Sequence, residues 1–232
     1  MTNTQVAIGT VSVLLVSNFI GLIYSMVVLK TDFFKSFRIQ TRPYKKGIFG
    51  QRMPLYLFNF IVLIALSGGG SYFMSDIFET NNETTGWMIA AQVLFAFVMD
   101  DIWFYFIHRL MHENKFLLKH IHSIHHRATT PFPLEYLYAH PLEWMTGMLG
   151  VVIGFGLIML VAPVSIYSLW IFGRLRNLHE IHIHSDLKLP ILSQIPLISK
   201  TKHHDDHHAK LTGNYSSTFL WWDRIFGTEF KD

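Results

Sequence analysis

Hydrophobic positions along this chain come in long blocks rather than in narrow stripes. Residues 6–29 (VAIGTVSVLLVSNFIGLIYSMVVL) run 24 residues without a charge, enough to cross a bilayer, which takes about 20 helical residues. A second block covers roughly 54–74, and its SGGG (67–70) is tolerable only where neighbouring helices support the backbone of a membrane bundle. A third starts near Trp87 and runs to about Ile107. Each block predicts a spanning helix. No basic leader or small-residue cleavage site precedes the first, which reads as an uncleaved anchor.

The polar segments between the blocks set sidedness. The first loop carries Lys30, Lys35, Arg38, Arg42, Lys45, Lys46 and Arg52, whereas the next, SDIFETNNETTG, is acidic. The excess of Lys and Arg places the first loop in the cytosol and the acidic one outside, where Asn82-Glu83-Thr84 forms an N-glycosylation acceptor sequence. The third block then returns the chain to the cytosol at His108. Residues 142–176 are mostly apolar, contain Gly147, Gly150, Gly154 and Gly156, and break at Ala162-Pro163. A single crossing here would put the histidines before and after it about 30 Å apart. Proline in mid-run predicts a tight or re-entrant helical hairpin instead. The fold class expected is an all-α integral membrane protein, with about four to five membrane helices or half-helices and a cytosolic, helical, histidine-rich metal site. Residues 1–232 read as one domain, with 1–86 a two-span N-terminal anchor and 87–232 the histidine-bearing catalytic region.

Composition narrows the chemistry. Of the 232 residues 50% are apolar and 15% charged, too greasy for an ordinary soluble domain. A net charge of +3 fits basic loops at a lipid surface, not a nucleic-acid stripe. The absence of cysteine removes thiolate nucleophiles, disulfides, iron–sulfur clusters and cysteine-ligated haem. Any metal must sit on nitrogen and oxygen.

All fourteen histidines lie between positions 108 and 208. HRLMH places His108 and His112 on one helix face. HIHSIHH holds His122, His125 and His126, with His120 just upstream, and KHHDDHHAKL holds His203, His204, His207 and His208. In H-x-x-H-H, helical spacing converges part of the set on one point and aims a neighbour about 100° away, so two copies can serve two adjacent metals. HHDDHH alone reads equally well as an adventitious surface tract. HEIHIHSD, with His179, His182 and His184, is not a zinc-protease signature, because its second histidine comes one residue early. His140 stands alone in YAHPLEW. All-nitrogen ligation suits Fe, Zn, Cu or Ni; a structural zinc takes only four ligands, so the eight regularly spaced histidines predict two metals. A pair of irons doing oxygen chemistry on a lipid is the reading the residues favour. A histidine-lined metal transporter or sensor is the rival from another class; uncharged first spans, one-sided histidines and the lack of a repeat weigh against it.

The order H-x3-H, H-x2-H-H, H-x2-H-H resembles the fatty acid hydroxylase/sterol desaturase superfamily of membrane di-iron oxygenases. DDIWFYFIHRLMH, IHSIHH, EYLYAHPLEW and KHHDDHHAKLTGNYSSTFLWWDRIFGTEF are, within it, most similar to methylsterol monooxygenases. The resemblance implies two non-haem Fe ions and O2-dependent oxidation of an unactivated C–H bond of a membrane lipid. It also implies an electron-transfer partner protein, with electrons passing from NAD(P)H through a cytochrome b5-type or ferredoxin-type donor. It carries over His108, His112, His122, His125, His126, His204, His207 and His208 as metal ligands, with His140 and His184 added. His120, His179, His182 and His203 remain outside that set. The membrane implied is the endoplasmic reticulum in a eukaryote or the inner membrane in a bacterium. HEIHIHSDLKLP departs from the acidic residue and His-Ser-Gly usual in methylsterol monooxygenases, so fatty acids, ether lipids and carotenoids stand beside 4-methylsterols as substrates.

Imidazole ligands need acceptors that fix their tautomers. Asp101, seven residues before His108 and on the same helix face, is one candidate; Glu135 and Asp223 are others, with Glu143, Glu180, Asp205 and Asp206 behind them. Phe219, Trp221 and Trp222 read as interface anchors.

Overall fold

Apolar blocks of this length fold as helices because hydrocarbon offers no partner for an open backbone amide or carbonyl. The computed structural model describes residues 1–81 and 83–231; Asn82, the acceptor of the glycosylation sequence, lies outside them. α1 (Asn3–Lys30), α2 (Ile48–Phe73) and α3 (Gly86–Glu113) contain the three predicted blocks. α1 starts on a capping box in which the Thr2 side chain accepts from Gln5 N. As expected from HRLMH, α3 continues beyond the apolar block that ends near Ile107. Nothing in FIHRLMHE breaks a helix, so it continues to Glu113 and carries His108 and His112 on its last turns, and Asn114 then caps α4 (Lys115–His120).

Two 3-10 helices follow, His122–Arg127 and Pro133–Leu137. Next come α5 (Pro141–Gly147), α6 (Leu149–Met159) and α7 (Ile166–Ile183), then α8 (Pro190–Ser193), α9 (Thr201–Lys210) and α10 (Trp221–Phe226). Among the described residues, four stretches are long and apolar enough to cross a membrane: α1, α2, α3 and the pair α5–α6. The strands are minimal, with β1 (Phe78–Glu79) pairing in parallel with β2 (Val164–Ser165).

The chain turns at Ala162-Pro163, and α7 runs back as the second arm of the predicted hairpin. Gln92 of α3 secures the turn, donating to Pro163 O at 2.8 Å and accepting from Ser165 N at 3.1 Å and Ser168 Oγ at 2.7 Å. Small residues let α6 lie close on α3. A Cβ on Gly150 would stand 2.8 Å from Asp100 Cα, and one on Gly154 would stand 3.1 Å from Ala96 Cα. Gly150→Val is therefore expected to push the helices apart and cost about 1–3 kcal/mol, read as a lower thermal midpoint in detergent. Asp100 also reaches α7, pairing with Arg176 at 2.6 Å.

The outer faces of the bundle are apolar; Phe19, Ile61 and Val152 are each more than 60% exposed, as lipid-facing residues are. Inside, residues 132–139 are tucked between α1, α2 and α7. Asn59 donates to the carbonyls of Leu137 and Ala139, both at 2.9 Å, and Ser25 Oγ accepts from Leu134 N at 3.1 Å.

Candidate metal centre

The hairpin brings His184, just after α7, to the end of the bundle where α3 delivers His108 and His112. The 3-10 helix 122–127 and α9 close the same space. Among the described residues, nine buried histidines form two groups: His108, His112, His122, His126 and His207, and His125, His184, His204 and His208. Within each group the ligand atoms lie within 4.8 Å of one another. The two H-x-x-H-H motifs are used in opposite senses. His122 and His126 enter the five-histidine group while His125 enters the other, whereas His204 and His208 enter the four-histidine group while His207 crosses back. Each motif therefore spans both groups.

The nitrogen spacing excludes a purely hydrogen-bonded cluster. His122 Nε2 lies 3.1, 2.7 and 2.9 Å from the Nε2 atoms of His108, His112 and His126. A neutral imidazole nitrogen has one proton or one lone pair, so it satisfies one of those contacts and not three. In the second group, His184 donates from Nδ1 to Glu180 O at 2.8 Å, and the Nδ1 of His125 faces Tyr138 O at 3.4 Å. Both rings then turn a bare Nε2 toward each other at 3.3 Å. A cation between them resolves the repulsion. Ligand nitrogens about 2.1 Å from a metal and at right angles are about 3.0 Å apart, close to the observed spacing. The residues fit a pair of metals.

Burial keeps these rings neutral, as ligation requires. It pushes His125, His204, His207 and His208 well below the usual histidine range, with neighbouring imidazoles adding to the effect, and takes His126 down to about 3. Tautomers are set mainly by carbonyls: His108 Nδ1 donates to Tyr215 O at 2.7 Å and His207 Nδ1 to Gly213 O at 2.8 Å. These backbone acceptors are absent from the side-chain candidates read off the sequence. The Gly213-Asn214 pair, a turn signal in which both residues have positive φ, could have pointed to them.

None of the three foremost carboxylates touches a cluster histidine by a hydrogen bond. Asp101 accepts from Thr218 N at 2.7 Å and Phe219 N at 2.9 Å. Asp223 accepts from Tyr215 N at 2.8 Å, Ser216 N at 2.9 Å and Thr228 Oγ1 at 2.7 Å. Both anchor the 215–219 segment, and with it the carbonyl facing His108. Glu135 pairs with Arg52 at 2.7 Å, and Arg52 donates to Arg127 O at 2.9 Å, bracing the helix that carries His122, His125 and His126. Glu143 comes nearest a ring, its Oε2 3.0 Å from His122 Nδ1. Glu180 accepts from the Ser217 hydroxyl, Asp205 accepts from Gln40, and Asp206 pairs with Lys202.

His140 stands outside both groups; its Nδ1 accepts from Leu142 N at 3.2 Å, capping α5. The proline after it fixes that first turn and directs the ring to the backbone. His179 faces Ser217 O, His182 stacks on Tyr24, His203 lies 3.3 Å from Asp223, and His120 is exposed.

Residues 93–228 match the fatty acid hydroxylase family. Methylsterol monooxygenase 1 of Rattus norvegicus is 37% identical over 166 residues, covering 70% of this chain and 56% of that protein. Methylsterol monooxygenase 2-2 of Arabidopsis thaliana is 34% identical over 215 residues, covering 86% and 76%. A very-long-chain aldehyde decarbonylase of Oryza sativa subsp. indica is 38% identical over 151 residues, covering 61% and 53%. The chain spans about half the length of the first of these relatives, and no solved structure matches it. A match over more than half the chain places it: this protein belongs to the fatty acid hydroxylase family.

Proposed function

We propose that this protein is an O2-dependent membrane oxygenase that holds two irons in its paired histidine groups and oxidises an unactivated C–H bond of a lipid. A sterol 4-methyl group is the leading substrate. The observation that carries the reading is the crowding of three Nε2 atoms around that of His122, which a cation resolves and hydrogen bonds do not. Bound there, iron supplies the O2 chemistry that side chains lack. The protein's own contributions are separable. Nine neutral imidazoles offer nitrogen without negative charge, the carbonyls of Tyr215, Gly213 and Glu180 hold protons on the outer nitrogens, and burial keeps bulk water from the rings.

Electrons come from NAD(P)H through a cytochrome b5-type or ferredoxin-type partner. The histidine end faces the cytosol, consistent with the basic loop 30–52 at that end of α1 and α2. The host membrane is the endoplasmic reticulum or a bacterial inner membrane. The whole chain acts as one oxygenase domain. The likeness to an aldehyde decarbonylase favours a fatty aldehyde as the second reading of the substrate.

Metal-loaded protein supplied with a reductase, such a donor and 18O2 is to be offered 4-methylsterols, fatty acids and long-chain aldehydes. The reading predicts an 18O-labelled hydroxylated 4-methylsterol; label in another lipid moves the substrate, and label in none overturns the oxygenase. His140→Ala is expected to leave the metal content unchanged and to lower stability by about 1 kcal/mol through the lost cap, read by elemental analysis and thermal unfolding.

A further inference from the structure

The four-histidine group is clasped from a part of the chain that contains no histidine. Asp186, two residues after His184, is fully buried and has φ 59°, a left-handed conformation that residues other than glycine seldom take. Four contacts from the loop between α1 and α2 converge on it. Arg38 donates from Nε to Oδ2 at 2.8 Å, Gln40 N to Oδ1 at 2.7 Å, Tyr44 OH to Oδ2 at 3.2 Å, and Ile39 N to the Asp186 carbonyl at 2.9 Å. Arg38 also lies over the Tyr44 ring, 4.3 Å from its centroid. The same loop reaches α9, where Gln40 Nε2 lies 2.8 Å from both carboxylate oxygens of Asp205, next to His204.

We propose that residues 37–44 are a positioning strap that sets the geometry of the four-histidine group and, through it, the affinity of one metal of the pair. This rests on the reading that the group holds a metal. The strap joins the segment after α7, which supplies His184, to α9, which supplies His204 and His208. Three of the four ligands therefore sit on the two segments it bridges. The five-histidine group takes only His207 from α9, and its other four ligands come from α3 and the 3-10 helix 122–127. Loosening the strap weakens one site and leaves the other nearly intact.

The experiment follows metal release from the full chain in detergent to an excess of chelator, comparing the parent with Arg38→Ala, Gln40→Ala and Asp186→Gly. The glycine variant deletes the carboxylate while keeping the left-handed backbone at no strain, and Gln40→Ala removes only a half-buried side chain, so neither depends on tolerance of a misfolded loop. The strap predicts two release phases in the parent, with one phase at least ten-fold faster in each variant, the scale of loss typical for groups that orient metal ligands. The other phase stays within about two-fold. Arg38→Lys, which keeps the charge, restores part of the difference. Combining Arg38→Ala with Asp186→Gly adds little to either alone, since the two residues act through one contact. Equal acceleration of both phases, or no acceleration, overturns the strap while leaving the paired-metal reading standing. A parent that holds fewer than two metals overturns that reading and the strap with it.

Discussion

Asp223→Ala is expected to strip metal from the centre and to abolish activity although Asp223 makes no hydrogen bond to any histidine of either group. Its buried carboxylate accepts from Tyr215 N, Ser216 N, the Ser216 hydroxyl and Thr228 Oγ1 and lies 3.3 Å from His203 Nε2; against burial, His203 first and then these bonds hold its pKa at about 2. Alanine leaves two backbone amides and the Ser216 hydroxyl without partners, whereas Thr228 Oγ1 keeps Tyr105 OH at 2.9 Å. At about 1–3 kcal/mol for each buried group left unsatisfied, the loss is roughly 2–6 kcal/mol even if one of the three finds water. That is comparable to the whole stability of a marginal domain, about 5–15 kcal/mol. The local consequence matters more. Tyr215 O loses its anchor, and His108 loses the acceptor that keeps its Nε2 bare. Asp223→Asn retains one acceptor oxygen, and its loss of metal should be intermediate. Elemental analysis beside thermal unfolding checks the order, parent above Asn above Ala in both.

Metal-free protein is expected to lose stability steeply as the pH falls below about 6.5, and metal-loaded protein to resist. In the unfolded chain a histidine takes a proton near pH 6.5. In the folded chain burial delays protonation, to about 3 for His126 and well below the usual histidine range for His125, His204, His207 and His208. Between the two values the unfolded state binds more protons, so stability is present above about 6.5 and is lost as the pH falls toward the folded value. Buried acids run the other way, among them Glu135 raised to about 7, Asp205 to about 6 and Asp186 raised by burial, but they are outnumbered by the buried imidazoles. Bound metal competes with protons for the same nitrogens and shifts the loss to lower pH. Unfolding midpoints with and without metal from pH 8 to pH 5 measure this; coincident curves would contradict it.

The parts of this molecule that could be read from its sequence are those governed by one-dimensional rules. Long apolar blocks announce α1, α2 and α3, and the Ala162-Pro163 break marks the turn into α7. The histidine spacing points to two adjacent metals, and the structure then shows which histidine joins which group. What escaped depends on contacts between distant segments. Tyr215 O and Gly213 O are backbone atoms, invisible in a list of side chains, and they reach His108 and His207 only because Asp101 and Asp223 hold their segment. His140 satisfied the motif but faces its own backbone, a distinction of rotamer and not of spacing. Glu135 was a fair candidate whose effect runs through Arg52, a residue that the positive-inside rule had already assigned to sidedness. The strap around Asp186 had no local signal, since Arg38 and Gln40 lie far from it in sequence.

The most direct test of the central claim is iron and zinc per chain, by elemental analysis of detergent-purified protein, for the parent and for a His125→Ala, His207→Ala double variant. These two residues sit in different groups, so the variant removes one ligand from each. The account predicts about two metals per chain in the parent, one for each histidine group, and their loss from the variant. A parent without tightly held metal, or a variant that keeps it, would contradict the account and return the histidines to a neutral, buried cluster with no partner between them.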